Sequence, residues 1–218
     1  MRLLYCIILL LGLGAGLTGC GEPPKPTVNL YRAVHVGDLD QIKRHLFWGT
    51  DINQPGPDGD YPLHVAVAQG RVAIAKELLK HGAETDVRDA LGQTPLYVAL
   101  ADGKVPAASL LLDQGAGDAL QALLFDLVQN ESPDRDTLEF MIRNGVDINA
   151  SGPEGMTSMH LAVASGDVQL TKRLLTAGAD VNQIDVSGTS PLSLARALKN
   201  PTTASIMAEL LRKYGATK

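Results

Sequence analysis

One eight-residue phrase recurs along this 218-residue chain, and its spacing limits the folds open to it. Gly59-Asp60-Tyr61-Pro62-Leu63-His64-Val65-Ala66 returns as Gly92-Gln93-Thr94-Pro95-Leu96-Tyr97-Val98-Ala99, and again at 155–162 and 188–195. A glycine closes a leucine-rich stretch at Gly49, Gly82, Gly115, Gly145, Gly178 and Gly215, in steps of 33, 33, 30, 33 and 37 residues. Proline is tolerated in the first helical turn because its missing N–H would have no partner there. Glycine just past a helix end accepts the left-handed cap conformation. Each period therefore reads as a turn and two short helices. Such a unit has apolar surface on two sides and is stable only when neighbours stack on it.

The turn, the Thr-Pro-Leu-His-like phrase and the Leu-Leu-x-x-Gly-Ala closure resemble the ankyrin-repeat family, over residues 27–218. The resemblance implies an all-α solenoid of about six helix-pair repeats with short β-turn or hairpin fingers. The repeats are placed at 28–55, 56–88, 89–117, 118–151, 152–184 and 185–218. The first, opening near Thr27 as an N-cap, lacks a finger, as a capping repeat should. Four residues separate Gly115 from Leu120, so the fourth is expected to lack its finger too and to leave a notch in the row. The long last step places about four extra residues at 199–203, between the helices of the sixth repeat.

Ahead of the repeats, Met1-Arg2 and the apolar run from Leu3 to Leu13 have the form of a secretory signal peptide, too short for a comfortable transmembrane helix. Leu17-Thr18-Gly19-Cys20 looks like a bacterial lipobox. That resemblance implies a leader of residues 1–19, a lipidated Cys20 and a membrane anchor. Gly21, rather than Asp, implies the periplasmic face of the outer membrane. Residues 20–27 comprise the lipidated cysteine and a tether; its seven residues from Gly21 to Thr27 contain Pro23, Pro24 and Pro26 and read as extended, about 20 Å long at roughly 3.1 Å per residue. The only cysteines are Cys6 in the leader and Cys20, so disulfide and thiol chemistry are excluded.

Composition narrows the function. Aromatic residues make up 4% of the chain, which suits stacked helices better than a large ligand cavity. The formal charge of −5, with no basic run, argues against nucleic acid. No catalytic constellation, metal site or cofactor motif stands out. His64 and His160 fall at the family's structural histidine position. His35, His45 and His81 are scattered, without Cys, His or acidic partners at ligand spacing. Asp51, Asp86, Asp147 and Asp180 follow the closing glycines, and repetition there points to turn chemistry.

The resemblance implies a concave, protein-binding face built from fingers and first helices. Its candidate contact residues are Asp58, Asp60, Tyr61, Gln69, Leu91, Gln93, Asp102, Glu154, Met156, Ser187 and Thr189. Leu91 and Met156 are apolar where the chain should be wet, which suits an interface core or scattered surface residues equally. Tyr61 and Tyr97 replace the usual threonine and histidine, and packing is their expected role ahead of anchoring. Phe47-Trp48 is read as a contact for a partner or membrane, or as packing under the linker. These features point to a non-enzymatic binder, an inhibitor or immunity protein against a periplasm-acting toxin such as an interbacterial lipase. A periplasmic scaffold for another enzyme is the alternative.

Overall fold

A computed structural model of the chain describes residues 22–217. The leader and Cys20 lie outside the described residues. Twelve α-helices follow one another as antiparallel pairs, with no strand among the described residues. The first helices of the pairs are α1 (Leu30–Val36), α3 (Pro62–Ala68), α5 (Pro95–Ala101), α7 (Leu120–Asn130), α9 (Ser158–Ser165) and α11 (Pro191–Arg196). Their partners are α2 (Leu39–Phe47), α4 (Val72–Lys80), α6 (Val105–Asp113), α8 (Arg135–Arg143), α10 (Val168–Thr176) and α12 (Pro201–Lys213). The all-α solenoid expected from the recurring phrase is the fold observed.

The closing glycines behave alike. All six have φ between 70° and 98°, and the next residue's N–H returns to a carbonyl in the last helical turn, as Ala83 does to Leu78 and Ala179 to Leu174. The carbonyl comes from a fully buried residue in five repeats: Leu78, Leu111, Met141, Leu174 and Leu211. In the first repeat it comes from His45, which is also buried. Its ring bonds Thr50 Oγ1 at 2.9 Å and the Val28 carbonyl at 2.7 Å, hooking the incoming chain to the end of the stack. Thr27 does not cap α1; Asn29 does, while Thr27 exchanges two hydrogen bonds with the buried Gln41 side chain. The Trp48 indole N–H donates to the Pro23 carbonyl at 3.1 Å, and Lys25 lies over the same ring. Residues 23–28 are thus laid against repeat one rather than standing clear of it. Trp48 packs under the linker, while Phe47 stays exposed.

Alanine sets the spacing of the first helices. Ala33, Ala66, Ala99, Ala162 and Ala195 are fully buried, and neighbouring first helices approach more closely than neighbouring second helices. The stack therefore curves with the first helices on its inner side. The exception is α7. Leu124, Leu127 and Val128 repeat the buried pattern of Leu96, Ala99 and Leu100, so leucine stands where alanine stands elsewhere. This helix lies as close to α9 as the others lie to their neighbours, but much less close to α5. The stack is therefore divided into two halves of three repeats.

The sixth repeat corrects one expectation. The residues at 201–203 belong to α12, which Asn200 caps and Pro201 opens. At 13 residues against nine in the other second helices, α12 absorbs the insertion as an extra turn. Proline after a strong N-cap starts a helix more readily than it extends a loop.

Candidate partner-binding surface

The fingers are tight loops rather than strands. In each, a first residue donates to a carbonyl four positions on: Gly56 to Asp60, Asp89 to Gln93, Gly152 to Met156 and Asp185 to Thr189. Asp89 and Asp185 tighten their loops further, their carboxylates accepting from the N–H groups of 91 and 93, and of 187 and 189. Gly56 and Gly152 carry no such side chain because an aromatic ring occupies the space. A β-carbon on Gly56 would run into the Tyr31 ring, and one on Gly152 would meet the Phe125 ring at 3.2 Å.

One position in each first helix supports the finger that follows. It immediately follows the deeply buried Leu or Met of that helix, and is Tyr31, His64, Tyr97, Phe125, His160 and Ser193 in turn. Repeats without a finger of their own, the first and fourth, place Tyr31 and Phe125 against a glycine. The second and fifth use an imidazole: His64 Nε2 donates to the Gln93 carbonyl at 2.9 Å, and His160 Nε2 to that of Thr189 at 3.1 Å. After the third repeat no finger follows, and there and in the sixth repeat the histidine is gone. Tyr97 and Ser193 stand there instead.

Amide side chains link the loops after the closing glycines. Asn53 donates to the Gly82 carbonyl and accepts from the Glu84 N–H; Asn149 and Asn182 repeat this with Gly178 and Asp180, and with Gly215 and Thr217. Asp86 belongs to this series, accepting from the Gly117 N–H, and not to the turn position of Asp51, Asp147 and Asp180. At the shortened repeat Gln121, from the first turn of α7, makes the equivalent pair with Asp147. Its longer side chain replaces a missing loop.

The candidate contact residues fall in three settings. Asp58, Leu91, Glu154 and Ser187 are exposed at finger tips, Leu91 at 80%. Gln69 and Asp102 are exposed at the ends of α3 and α5, with Gln69 Nε2 3.4 Å from His35 Nδ1. Asp60, Gln93, Met156 and Thr189 are half-buried, and their carbonyls close the loops. Met156 is therefore part of a finger's frame rather than a free apolar tip. Tyr61 is half-buried, tilted against His64 at 5.7 Å between ring centroids, and Tyr97 is buried. Exposed Ile184 and Val186 add apolar surface to the last finger. The sequence offered no sign that Ile184 would face solvent.

Where the fourth finger is missing, a cavity of about 500 Å3 opens between the third finger and α7. Arg88, Leu91, Tyr97, Asp118, Ala122 and Asp126 are among the residues lining it. Thr94 Oγ1 donates to Asp118 at 2.9 Å across its floor.

Comparison with known proteins agrees with this geometry. A chain of the solved complex between a predatory endopeptidase and an immunity protein from Bdellovibrio bacteriovorus has the same fold. It superposes with a TM-score of 0.62 at 24% identity, over 87% of this chain and 99% of that one. The human ASB11 ankyrin repeat domain superposes with a TM-score of 0.65 at 28% identity, over 87% and 85%. An L-asparaginase of Dirofilaria immitis is 31% identical over 169 residues, 76% of this chain, but the match spans only 29% of that enzyme. The ankyrin-repeat family model matches residues 30–121 and 124–217, two segments that meet in the first turn of α7. The chain belongs to the ankyrin-repeat family, whose repeats are protein-interaction modules.

Proposed function

We propose that this protein is a non-catalytic inhibitor or immunity lipoprotein, anchored through Cys20 at the periplasmic face of the outer membrane. It occludes a periplasm-acting enzyme such as an interbacterial lipase with its fingers and first helices. The observation that carries this reading is the row of rigid finger tips. Each is held by internal backbone bonds and by a support residue, so little conformational entropy is lost when a partner docks. The similarity to a chain from an endopeptidase–immunity complex supports the inhibitory form of the reading. The lipobox sequence supports the anchor.

The test is to titrate periplasm-acting lipases and endopeptidases with the full chain. Stoichiometric, dose-dependent loss of one enzyme's activity is the expected result. A complex formed without loss of activity would make the protein a scaffold instead. Incorporation of labelled palmitate, abolished by Cys20→Ala, is expected for the anchor; unlabelled wild-type protein would overturn it.

A further inference from the structure

The notch beside the fourth repeat has chemistry of its own. Tyr97 occupies the finger-support position, yet no finger follows it. It is 8% exposed and lines the cavity, and its hydroxyl has no hydrogen-bond partner among the described residues. Burial first, then the carboxylates of Glu131 and Asp126, push its pKa upward and keep it protonated. Neither Asp126 nor Glu131 has an ion-pair or side-chain hydrogen-bond partner among the described residues. Asp118 accepts a single bond, from Thr94. One cation lines the cavity, Arg88, and it donates to the Gly92 carbonyl of its own finger. Leu91 overhangs the opening, almost fully exposed.

We propose that this notch seats an arginine side chain from a loop of the protein partner. The inference rests on the binding-module reading above and names where the partner is anchored. An arginine stem is apolar and can lie along Leu91, Ala122 and the Tyr97 ring while its head stays polar. A planar guanidinium offers five donors, enough to engage the Asp126 and Asp118 carboxylates and the Tyr97 hydroxyl oxygen together. Lysine, a point charge with three donors, fills the same space less completely. An acidic or neutral side chain would leave the carboxylates uncompensated.

The experiment uses the full chain, isotope-labelled, and short cyclic peptides that differ only in one central residue: Arg, Lys, Gln or Glu. Arginine is expected to shift the NMR signals of Tyr97, Ala122, Asp126 and Asn130, lysine to do so more weakly, and glutamate not at all. Asp126→Asn with Glu131→Gln, both at exposed positions, is expected to lower arginine-peptide affinity about fivefold, the upper end for an exposed ion pair. Ala122→Arg, which fills the notch from within, is expected to abolish the shifts. Equal response to arginine and glutamate, shifts confined to other surfaces, or affinity indifferent to the Asp126 and Glu131 changes would overturn the proposal. The peptide assay needs no partner, so its failure removes the notch and leaves the inhibition titration to judge the wider reading. Failure of that titration leaves the peptide result standing.

Discussion

The two halves of the stack, α1–α6 and α7–α12, meet the same packing demands with different side chains. Each begins with a fingerless repeat whose aromatic ring lies under a glycine, Tyr31 under Gly56 and Phe125 under Gly152. Each continues with an imidazole reaching the next finger, and His64 and His160 are 96 residues apart. The surroundings of the two histidines differ. His160 Nδ1 lies 2.8 Å from Thr157 Oγ1 and accepts from the Thr157 N–H, completing a capping box. Tyr61 replaces that threonine in the first half; α3 has no side-chain cap, and His64 Nδ1 is buried without a partner. The reverse holds one residue on, where Pro62 opens α3 cleanly and Ser158 buries a hydroxyl with no partner. Each half thus carries a local defect that the other has repaired, and the defects need not have the same cause. Tyr61 exchanges a cap for an aromatic side chain on the finger side of the helix, whereas Ser158 brings no visible gain.

Substitutions at these paired sites would break or sharpen the comparison. The largest effect is expected from Gly56→Ala, whose new methyl must displace Tyr31: a loss of about 3 kcal/mol in urea unfolding, against about 1 for Gly152→Ala, where Phe125 lies farther away. Equal losses would show that the closer approach of Tyr31 does not make its glycine the less tolerant of the two. His160→Ala should cost about 3 kcal/mol because it leaves the buried Thr157 N–H without its acceptor as well as removing the bond to the Thr189 carbonyl. His64→Ala should cost about half as much, since one hydrogen bond is lost. Tyr61→Thr should stabilise by about 1 kcal/mol, restoring a cap and a partner for His64 Nδ1. If Tyr61 contacts the partner, the same change weakens binding while it strengthens the fold.

Acid titration separates His64 further. Burial, the largest influence, lowers its pKa, although the Gln93 carbonyl, Asp89 and Asp60 pull it upward. With the folded value below the ordinary 6.5, its contribution is complete above that pH and declines as pH falls through the folded value. His64→Gln should therefore flatten the stability curve just below pH 6.5. An unchanged curve would place the slope on other groups. The smallest effect is Ser158→Pro. Thr157 before it is extended at φ −96° and ψ 168°, so proline fits, and a gain of about 0.5 kcal/mol is expected from the reduced freedom of the unfolded chain.

Much of this organisation was legible beforehand. The glycine steps identified six repeats, and the short interval after Gly115 correctly removed the fourth finger. Tyr97 and the missing finger were both visible, yet nothing in the sequence joined them. The link is that the position equivalent to 97 supports a finger 29 residues downstream at His64 and His160, a relation that exists only once helices are stacked. Asp86 differs from its sequence reading for a similar reason. Its neighbours along the chain make it look like a turn residue, while its bond to Gly117 places it in the ladder of Asn53, Asn149 and Asn182. The extra residues at 201–203 resemble a loop because their composition is loop-like; the Asn200 cap and Pro201 make them the first turn of α12.

By itself, the sequence determined the repeating unit, its number and most of its helix ends, because proline, glycine and short polar caps act on the backbone within a few residues of themselves. The tertiary structure alone decided which side chains meet across repeats: Tyr31 on Gly56, Gln121 in place of an asparagine, and Tyr97 facing an empty notch. Those contacts join residues some 25 to 30 positions apart. Their geometry depends on how closely one helix pair approaches the next, and that distance is set by the alanine or leucine buried between them.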